Sequence, residues 1–178
     1  MRLCFVGPGY HPDRGGAEEY VRAMAERLAG KGHEVHVMVP AAHAAEEERK
    51  GVRVHRLRAN GFFSKRLVKL EGLEALLEEI DPALVHLQSH ASLYSLQAAK
   101  ACGKMGKKYV VLTYGPTVEH NRSGLLRNLF AEALDWWTTR KIFSGAAVVL
   151  YRTENLEPWC RAHGAGRLLV LARGFPLR

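Results

Sequence analysis

The sequence predicts an α/β fold in which a doubly wound parallel sheet is flanked by helices. Short apolar runs alternate along the chain with longer segments of helical periodicity, which is the order that βαβ units produce. Residues 109–112 and 147–150 are apolar without interruption, as expected of strands covered on both faces. The length of 178 residues suits one domain, so we expect a single domain over residues 1–178.

Residues 1–82 contain three predicted strands and two predicted helices. A strand at residues 2–6 ends at a glycine-rich turn, and apolar residues at helical spacing then predict a helix from Ala17 that glycines end near residue 30. The other elements predicted in this range are strands at 34–39 and 52–57, an Ala- and Glu-rich loop at 41–50, and a helix over 67–80.

Residues 83–178 continue the same alternation of strand and helix. The predicted strands lie at 83–87, 108–113, 146–151 and 168–171, and the predicted helices lie at 92–105, 122–143 and 154–163. Neither an internal repeat nor a low-complexity linker interrupts them. The pattern therefore predicts one continuous parallel sheet.

Composition and charge exclude several classes of protein and leave a preference for anionic partners. No run approaches 18 apolar residues, the apolar N-terminus is too short for a signal peptide, and the three cysteines are scattered. These features predict a protein of the reducing cytoplasm. The net charge is +8, and most of the excess lies after residue 120, where the chain has nine basic and four acidic side chains. Nucleic acid, anionic lipid and phosphorylated substrates all fit a basic surface.

The turn after the first strand is the first place to look for chemistry, because ligands bind beyond the carboxyl ends of parallel strands. Pro12 stands where the dinucleotide fingerprint needs its third glycine, and no lysine follows Gly15 or Gly16 as a phosphate loop requires. What remains is a glycine pair opening a helix, where backbone N–H groups can approach an anion. A flexible turn is the alternative interpretation. No cluster has metal-ligand spacing, so no metal is predicted.

Residues 8–40, with the sequence PGYHPDRGGAEEYVRAMAERLAGKGHEVHVMVP, resemble the N-terminal signature of the retaining group 1 (family 4) glycosyltransferases. The resemblance implies the N-terminal half of a GT-B fold, in which two Rossmann-like domains face each other across a cleft. It also implies transfer of a sugar from a nucleotide-sugar donor to an acceptor hydroxyl with retention, in glycolipid, polysaccharide or cell-envelope glycan synthesis. The donor is a nucleotide-diphosphate substrate, and no separate cofactor is expected.

The same resemblance implies roles for individual residues. Gly15 and Gly16 would approach the donor diphosphate, and His86 and Tyr114 would contact the sugar or the acceptor as catalytic residues. Acceptor binding is expected of Arg14 and Glu18, and the basic charge of Arg122, independently of the resemblance, suggests binding of an acceptor phosphate. Two positions depart from the family, which often has histidine in the turn that reads Thr-Tyr-Gly-Pro at 113–116, and usually has aspartate where Ala83 stands. From the residues alone, His86 also fits a packed histidine at the end of a strand, and Arg122 fits a solvated helix face.

The expected partners follow from the family and from the charge. A donor-binding C-terminal domain is expected beyond residues 1–178, and this part alone is expected to be an inactive portion of a hexosyltransferase-type enzyme. The acceptor is expected to be a sugar, lipid or glycan. Cations at the start of the second predicted helix, in the aromatic-tipped segment 62–69, oppose the helix dipole. They suggest peripheral contact with anionic lipid on the inner face of a membrane, with a solvated face as the alternative.

A second function class is a noncatalytic Rossmann-like module that uses its basic surface on anionic lipid or nucleic acid. No recognition motif for RNA or DNA is present, and basic side chains do not alternate with aromatic ones as stacking platforms require. We therefore expect no nucleic-acid partner.

Overall fold

A computed structural model of the chain describes residues 1–60, 67–116 and 125–171, with the side chains of 125–131 left out of the description. In this part of the chain nine strands form one sheet, and five helices pack on it. The strands are β1 Arg2–Val6, β2 Glu34–Ala41, β3 Ala45–Arg49, β4 Val52–Asn60, β5 Lys69–Leu70, β6 Leu84–Leu87, β7 Tyr109–Thr113, β8 Val148–Tyr151 and β9 Leu168–Val170. The helices are α1 Gly16–Gly30, α2 Leu73–Ile80, α3 Leu93–Met105, α4 Leu125–Gly145 and α5 Glu157–Ala162, with a 3-10 turn at Glu154–Leu156.

The order of the strands places a switch point beside β1. The main path of the sheet runs β3-β4-β2-β1-β6-β7-β8-β9, and all neighbours on it are parallel except β3, which is antiparallel to β4. The chain moves outward from β1 to β2 and β4, and then returns to β6 on the other side of β1. In open α/β sheets the loops diverge at such a point, and ligands bind in the crevice at the carboxyl edge. The predicted fold class is confirmed.

The two faces of the sheet bury separate cores because alternate residues of a strand point to opposite sides. On one face Val21 and Ala25 of α1 pack with Phe5 and the valines of β2 and β4. The other face carries Cys4 and Val6 and is covered by α2, α3, α4 and α5. All three cysteines are buried free thiols.

One predicted loop is a strand. Residues 41–50 contain β3, which pairs antiparallel with β4 so that Glu46 lies opposite His55 and Glu47 beside Arg56. Glutamate has low strand propensity, which is why the segment was predicted to be a loop. Cross-strand pairing with basic residues stabilises it at the edge, where charged side chains also discourage pairing with another chain.

The second predicted helix begins later than its leucine spacing suggests. Helix α2 starts at Leu73, after Gly72 turns the chain with φ of 74°, and Lys69–Leu70 forms the short strand β5 instead. Lys69 therefore lies outside the helix, and Glu74 occupies its first turn, where the dipole favours an anion. The predicted placement of the cation Lys69 at the helix start is therefore wrong, whereas Glu78 and Glu79 still lie in the last turn, where the dipole disfavours anions. Residues 62–66 of the predicted lipid-contact segment lie outside the described residues.

No helix in the described part of the chain is both long enough and apolar enough to cross a membrane.

Candidate functional site

The loop after β1 is held between the sheet and α1. Tyr10 is fully buried in the core on the α1 side, and its carbonyl accepts a hydrogen bond from the Asp13 N–H at 2.9 Å. Gly9 has little space for a side chain, since a Cβ there would lie 2.8 Å from Asp13 Oδ2 and 3.2 Å from Glu18 Cγ. The loop is therefore packed tightly before it reaches the glycine pair.

The glycine pair forms the start of α1. Gly15 is the N-cap and has no side chain to cap the helix, while Gly16 is the first helical residue. A Cβ on Gly15 would collide with the carboxylate of Glu18, whereas a Cβ on Gly16 would meet nothing within 4 Å. The open space at Gly16 leaves the first turn of the helix accessible to a ligand, and the N-terminus of a helix attracts anions.

A polar pocket of about 400 Å³ lies beside this helix start. Its lining residues are His11, Asp13, Arg14, Gly15, Glu18, Glu19 and Arg22. Arg22 is paired with Glu19, whose pKa is lowered by that hydrogen bond. Among the described residues no carboxylate lies within ion-pair distance of Arg14, so this guanidinium is available to an anionic group. The carboxylates can accept hydrogen bonds from sugar hydroxyls.

Gln88 follows β6 at the switch point and connects the two sides of the crevice. The residue is completely buried, and a Cβ on Gly7 would lie 3.6 Å from its own Cβ. Its Nε2 donates to the Tyr114 hydroxyl at 2.7 Å and lies 3.5 Å from the Ala17 carbonyl oxygen. Because that carbonyl can only accept, its contact suits the Nε2 of Gln88, and Tyr114 Oη is then the acceptor of the hydrogen bond from Gln88. The proton of Tyr114 is therefore free to be donated to a ligand.

Arg152 lies next to Tyr114 because β7 and β8 are paired with Thr113 opposite Tyr151. Its guanidinium carbon is 5.9 Å from the centre of the Tyr114 ring, within the range of a cation–π contact. Burial raises the pKa of Tyr114, and Arg152 and Gln88 oppose that shift without reversing it. The phenol is thus a neutral donor beside a cation, an arrangement suited to a phosphate or a hydroxyl.

Gly115 lies in the turn after β7, where the family often has histidine. Its φ is 100°, a conformation that side chains rarely adopt, and a Cβ there would lie 2.9 Å from Leu156 Cδ2. Its N–H donates to the Thr113 hydroxyl, which also lies 2.9 Å from Nδ1 of the buried His90. This backbone leaves no room for a histidine side chain at residue 115.

The structure places His86 in the core on the α1 side. Its ring stacks on Phe5 with centroids 5.1 Å apart, and Tyr20 lies 6.0 Å away. Both ring nitrogens are buried without a hydrogen-bond partner in the described part of the molecule, and burial lowers the pKa of the imidazole to about 4. This geometry favours a packed histidine at the end of a strand, which is the alternative to a catalytic residue that the sequence left open.

The structure thus brings some predicted site residues together and separates others. Arg14, Gly15 and Glu18 line one pocket at the start of α1, and Tyr114 lies across the crevice. His86 lies beneath Tyr20, and Arg122 is outside the described residues. Gln88 and Arg152 were missed, although each is the first polar residue after an apolar strand, which is the sequence signal that marks the carboxyl edge. Groups of three or more metal-ligating side chains are absent from the residues described.

Comparison with known proteins identifies the family. A model of the glycosyl transferase 4-like domain matches residues 15–174 of this chain. The chain belongs to this family. The glycosyl transferase 4-like domain therefore covers nearly all of the sequence, and the resemblance inferred from residues 8–40 is confirmed. A search of curated proteins found no match.

Solved structures support the same fold for this glycosyl transferase 4-like domain. One structure of sucrose-phosphate synthase from Thermosynechococcus elongatus aligns over 99% of this chain and 91% of that one, with a TM-score of 0.66 and 14% identity. A second structure of that synthase gives a TM-score of 0.63 at 13% identity, over 97% of this chain and 48% of that one.

The catalytic domain of starch synthase IV from Arabidopsis thaliana, solved with ADP and acarbose, aligns over 98% of this chain and 52% of that one. Its TM-score is 0.60 and its identity is 11%. The chain spans about half the length of this structure and of the second synthase structure. At these identities the likeness shows the fold alone.

Proposed function

We propose that this domain forms the acceptor side of a glycosyltransferase that takes a sugar from a nucleotide-diphosphate donor. The observation that supports the proposal is the pairing, across one crevice, of an open helix N-terminus at Gly16 with the hydroxyl donor of Tyr114. The first site suits a diphosphate and the second suits a sugar or acceptor hydroxyl. Membership of the glycosyl transferase 4-like family gives the reaction class.

In the proposed reaction, the acceptor hydroxyl oxygen forms a bond to the anomeric carbon while the bond from that carbon to the diphosphate oxygen breaks. The hydroxyl proton leaves to the departing diphosphate, and the sugar keeps its anomeric configuration. Negative charge grows on the leaving group as the bond breaks. Fixed N–H dipoles at the start of α1 and the Arg152 guanidinium would stabilise that charge without having to reorganise.

The polar pocket beside Gly15 is proposed to hold the acceptor. Asp13 and Glu18 would accept hydrogen bonds from its hydroxyl groups, and Arg14 would bind an anionic substituent if the acceptor carries one. The nucleotide is proposed to bind to a second domain across the cleft. A sugar, lipid or glycan acceptor in glycolipid, polysaccharide or envelope-glycan synthesis is consistent with this arrangement.

The test replaces Gly16 with valine in the full-length enzyme and measures release of nucleoside diphosphate from UDP-, GDP- and ADP-sugars. The added side chain enters empty space, so the fold should remain while the diphosphate is displaced. Gly30→Val is the matched control, because Gly30 ends the same helix and also faces open space. If Gly16→Val transfers sugar at the rate of Gly30→Val, the proposal that the diphosphate binds at the start of this helix is contradicted. Absence of transfer from all three donor classes by the wild-type enzyme would contradict the proposed donor.

A further inference from the structure

Among the side chains described for α4, residues 132–145, the outward face exposes two adjacent tryptophans and no acidic side chain. Trp136 is 49% exposed and Trp137 is 44% exposed, although side chains of this size are usually buried. The residues exposed along this face are Ala133, Trp136, Trp137, Arg140, Lys141 and Ser144. The two acids of the described part of the helix, Glu132 and Asp135, are half-buried on its flank.

Helix α3 packs beside α4 on the same face of the sheet and extends this surface. Its exposed side chains between residues 100 and 104 are the lysines Lys100 and Lys104. The Lys100 ammonium lies 6.0 Å from the ring centre of Trp137, and the Arg140 guanidinium lies 5.5 Å from that of Trp136. We call Lys100, Lys104, Trp136, Trp137, Arg140 and Lys141 the tryptophan face.

The cations of the tryptophan face are not neutralised locally. Within the described part of the chain, no carboxylate lies at ion-pair distance from any of the four. The face therefore has a charge of +4 around two half-exposed indole rings. It lies on the helical layer rather than at the carboxyl edge, so the proposed substrate site does not account for it.

We propose that the tryptophan face docks the protein on an anionic lipid surface. Indole rings partition to the boundary between water and hydrocarbon because one side of the ring is apolar and its N–H is polar. Lysine and arginine stems extend along such a surface while their charged ends reach phosphate headgroups. The two tryptophans lie on α4, the four cations lie on α3 and α4, and every charge complements an anionic headgroup. This inference does not depend on the proposed sugar transfer.

The same geometry is less suited to nucleic acid. Bases stack on the open faces of aromatic rings, but here Lys100 and Arg140 already lie over the two indoles. An anionic headgroup can bind the Lys100 ammonium or the Arg140 guanidinium at the edge of the indole ring without displacing that cation from the ring. Lipid is therefore the occupant that the surface favours.

The test is sedimentation of the protein with vesicles of phosphatidylcholine alone or mixed with phosphatidylglycerol. We expect binding only to the mixed vesicles, with a blue shift of tryptophan fluorescence and quenching by brominated acyl chains. Lys100→Glu and Arg140→Glu should each weaken binding about tenfold or more, because each replaces an attraction by a repulsion near the surface. Lys31→Glu makes the same charge change at the end of α1, on the opposite face of the sheet, and should have little effect.

Two further measurements make the outcome decisive. The double variant Trp136→Ser/Trp137→Ser should keep its circular dichroism spectrum but lose the quenching by brominated lipid. No sedimentation with the mixed vesicles would overturn the proposal. Equal weakening by Lys31→Glu and Arg140→Glu would also overturn it, because net charge alone would then explain the binding. Tighter binding to single-stranded DNA that is lost in Arg140→Glu would assign the face to nucleic acid instead.

Discussion

His36 on β2 and His55 on β4 are joined by a buried hydrogen bond, with His36 Nδ1 lying 2.9 Å from His55 Nε2 and the ring planes within 5° of each other. The outer nitrogen of His36 lies 3.2 Å from Glu34, and that of His55 lies 3.8 Å from Glu46. If His55 carries its proton on Nε2, it donates to Nδ1 of His36, whose Nε2–H then donates to Glu34, and His55 Nδ1 has no proton to donate to Glu46. Burial lowers the pKa of His55, in agreement with a neutral ring.

Removing one member of this pair should cost more stability than removing both. His55→Leu leaves His36 Nδ1 buried without its partner, and an unsatisfied buried polar atom costs about 1–3 kcal/mol. In the double variant His36→Leu/His55→Leu neither polar partner remains, so part of the lost stability should be recovered. Urea denaturation of the wild type, both single variants and the double variant measures the coupling. Additive losses would show that the two rings do not depend on each other.

Acid should destabilise the fold through His86. Its pKa in the folded protein is about 4, below the ordinary value of 6.5, because burial disfavours the charged ring. The unfolded chain therefore binds the proton first as the pH falls. The contribution of the neutral His86 ring to the free energy of unfolding is fully present above pH 6.5. As the pH falls from 6.5 to 4, this contribution is lost, by roughly 3 kcal/mol in all. His55, whose pKa is also lowered, acts in the same direction.

The measurement is the free energy of unfolding as a function of pH for the wild type and for His86→Leu. The variant should lose much of the slope between pH 6.5 and 4, because its residue 86 cannot bind a proton. In the full-length enzyme it should also keep most of its transfer activity at pH 7.5. An unchanged slope would contradict the buried neutral ring, and loss of transfer in a folded variant would restore His86 to the catalytic residues.

Gly115→Ala should destabilise the turn after β7. A Cβ at this position combines a strained φ of 100° with a contact of 2.9 Å to Leu156, and such backbone strain costs on the order of 1–3 kcal/mol. Gly103→Ala is a suitable control because its Cβ would enter open space in α3, where alanine favours the helix. Thermal unfolding should place Gly115→Ala below the wild type and Gly103→Ala at or above it. The reverse order would be incompatible with the described turn.

Tyr114→Phe should lower the rate of sugar transfer in the full-length enzyme without unfolding the domain. The substitution removes a hydroxyl that is 2.7 Å from Gln88 and whose proton is free for a ligand. We expect a fall of about tenfold to a hundredfold in kcat/KM, which corresponds to one lost hydrogen bond to substrate.

Arg152→Met should lower kcat/KM further, since it removes a charge, while Arg152→Lys should recover part of the loss. Nucleoside diphosphate release under single-turnover conditions measures both, and wild-type rates in Tyr114→Phe would exclude a role for the hydroxyl.

The alternation of apolar runs and helical segments was enough to predict most of the fold. Strands such as β7 and β8 are covered on both faces, so their unbroken apolar sequences identified them. The same local signal failed at β3, where Glu47 forms an ion pair with Arg56 on another strand. It also failed at the start of α2, where Gly72 interrupts leucines that continue at helical spacing.

By itself the sequence determined the parallel sheet, the glycine pair that opens α1 and the membership of a glycosyltransferase family, because these depend on residues close together in the chain. Only the tertiary structure decided which residues meet at the switch point. Gln88, Tyr114 and Arg152 follow three neighbouring strands, and the register of β6, β7 and β8 alone brings them together. It also decided that His86 is enclosed between Phe5 and Tyr20, since whether a histidine at a strand end faces solvent or core depends on the helix that covers it.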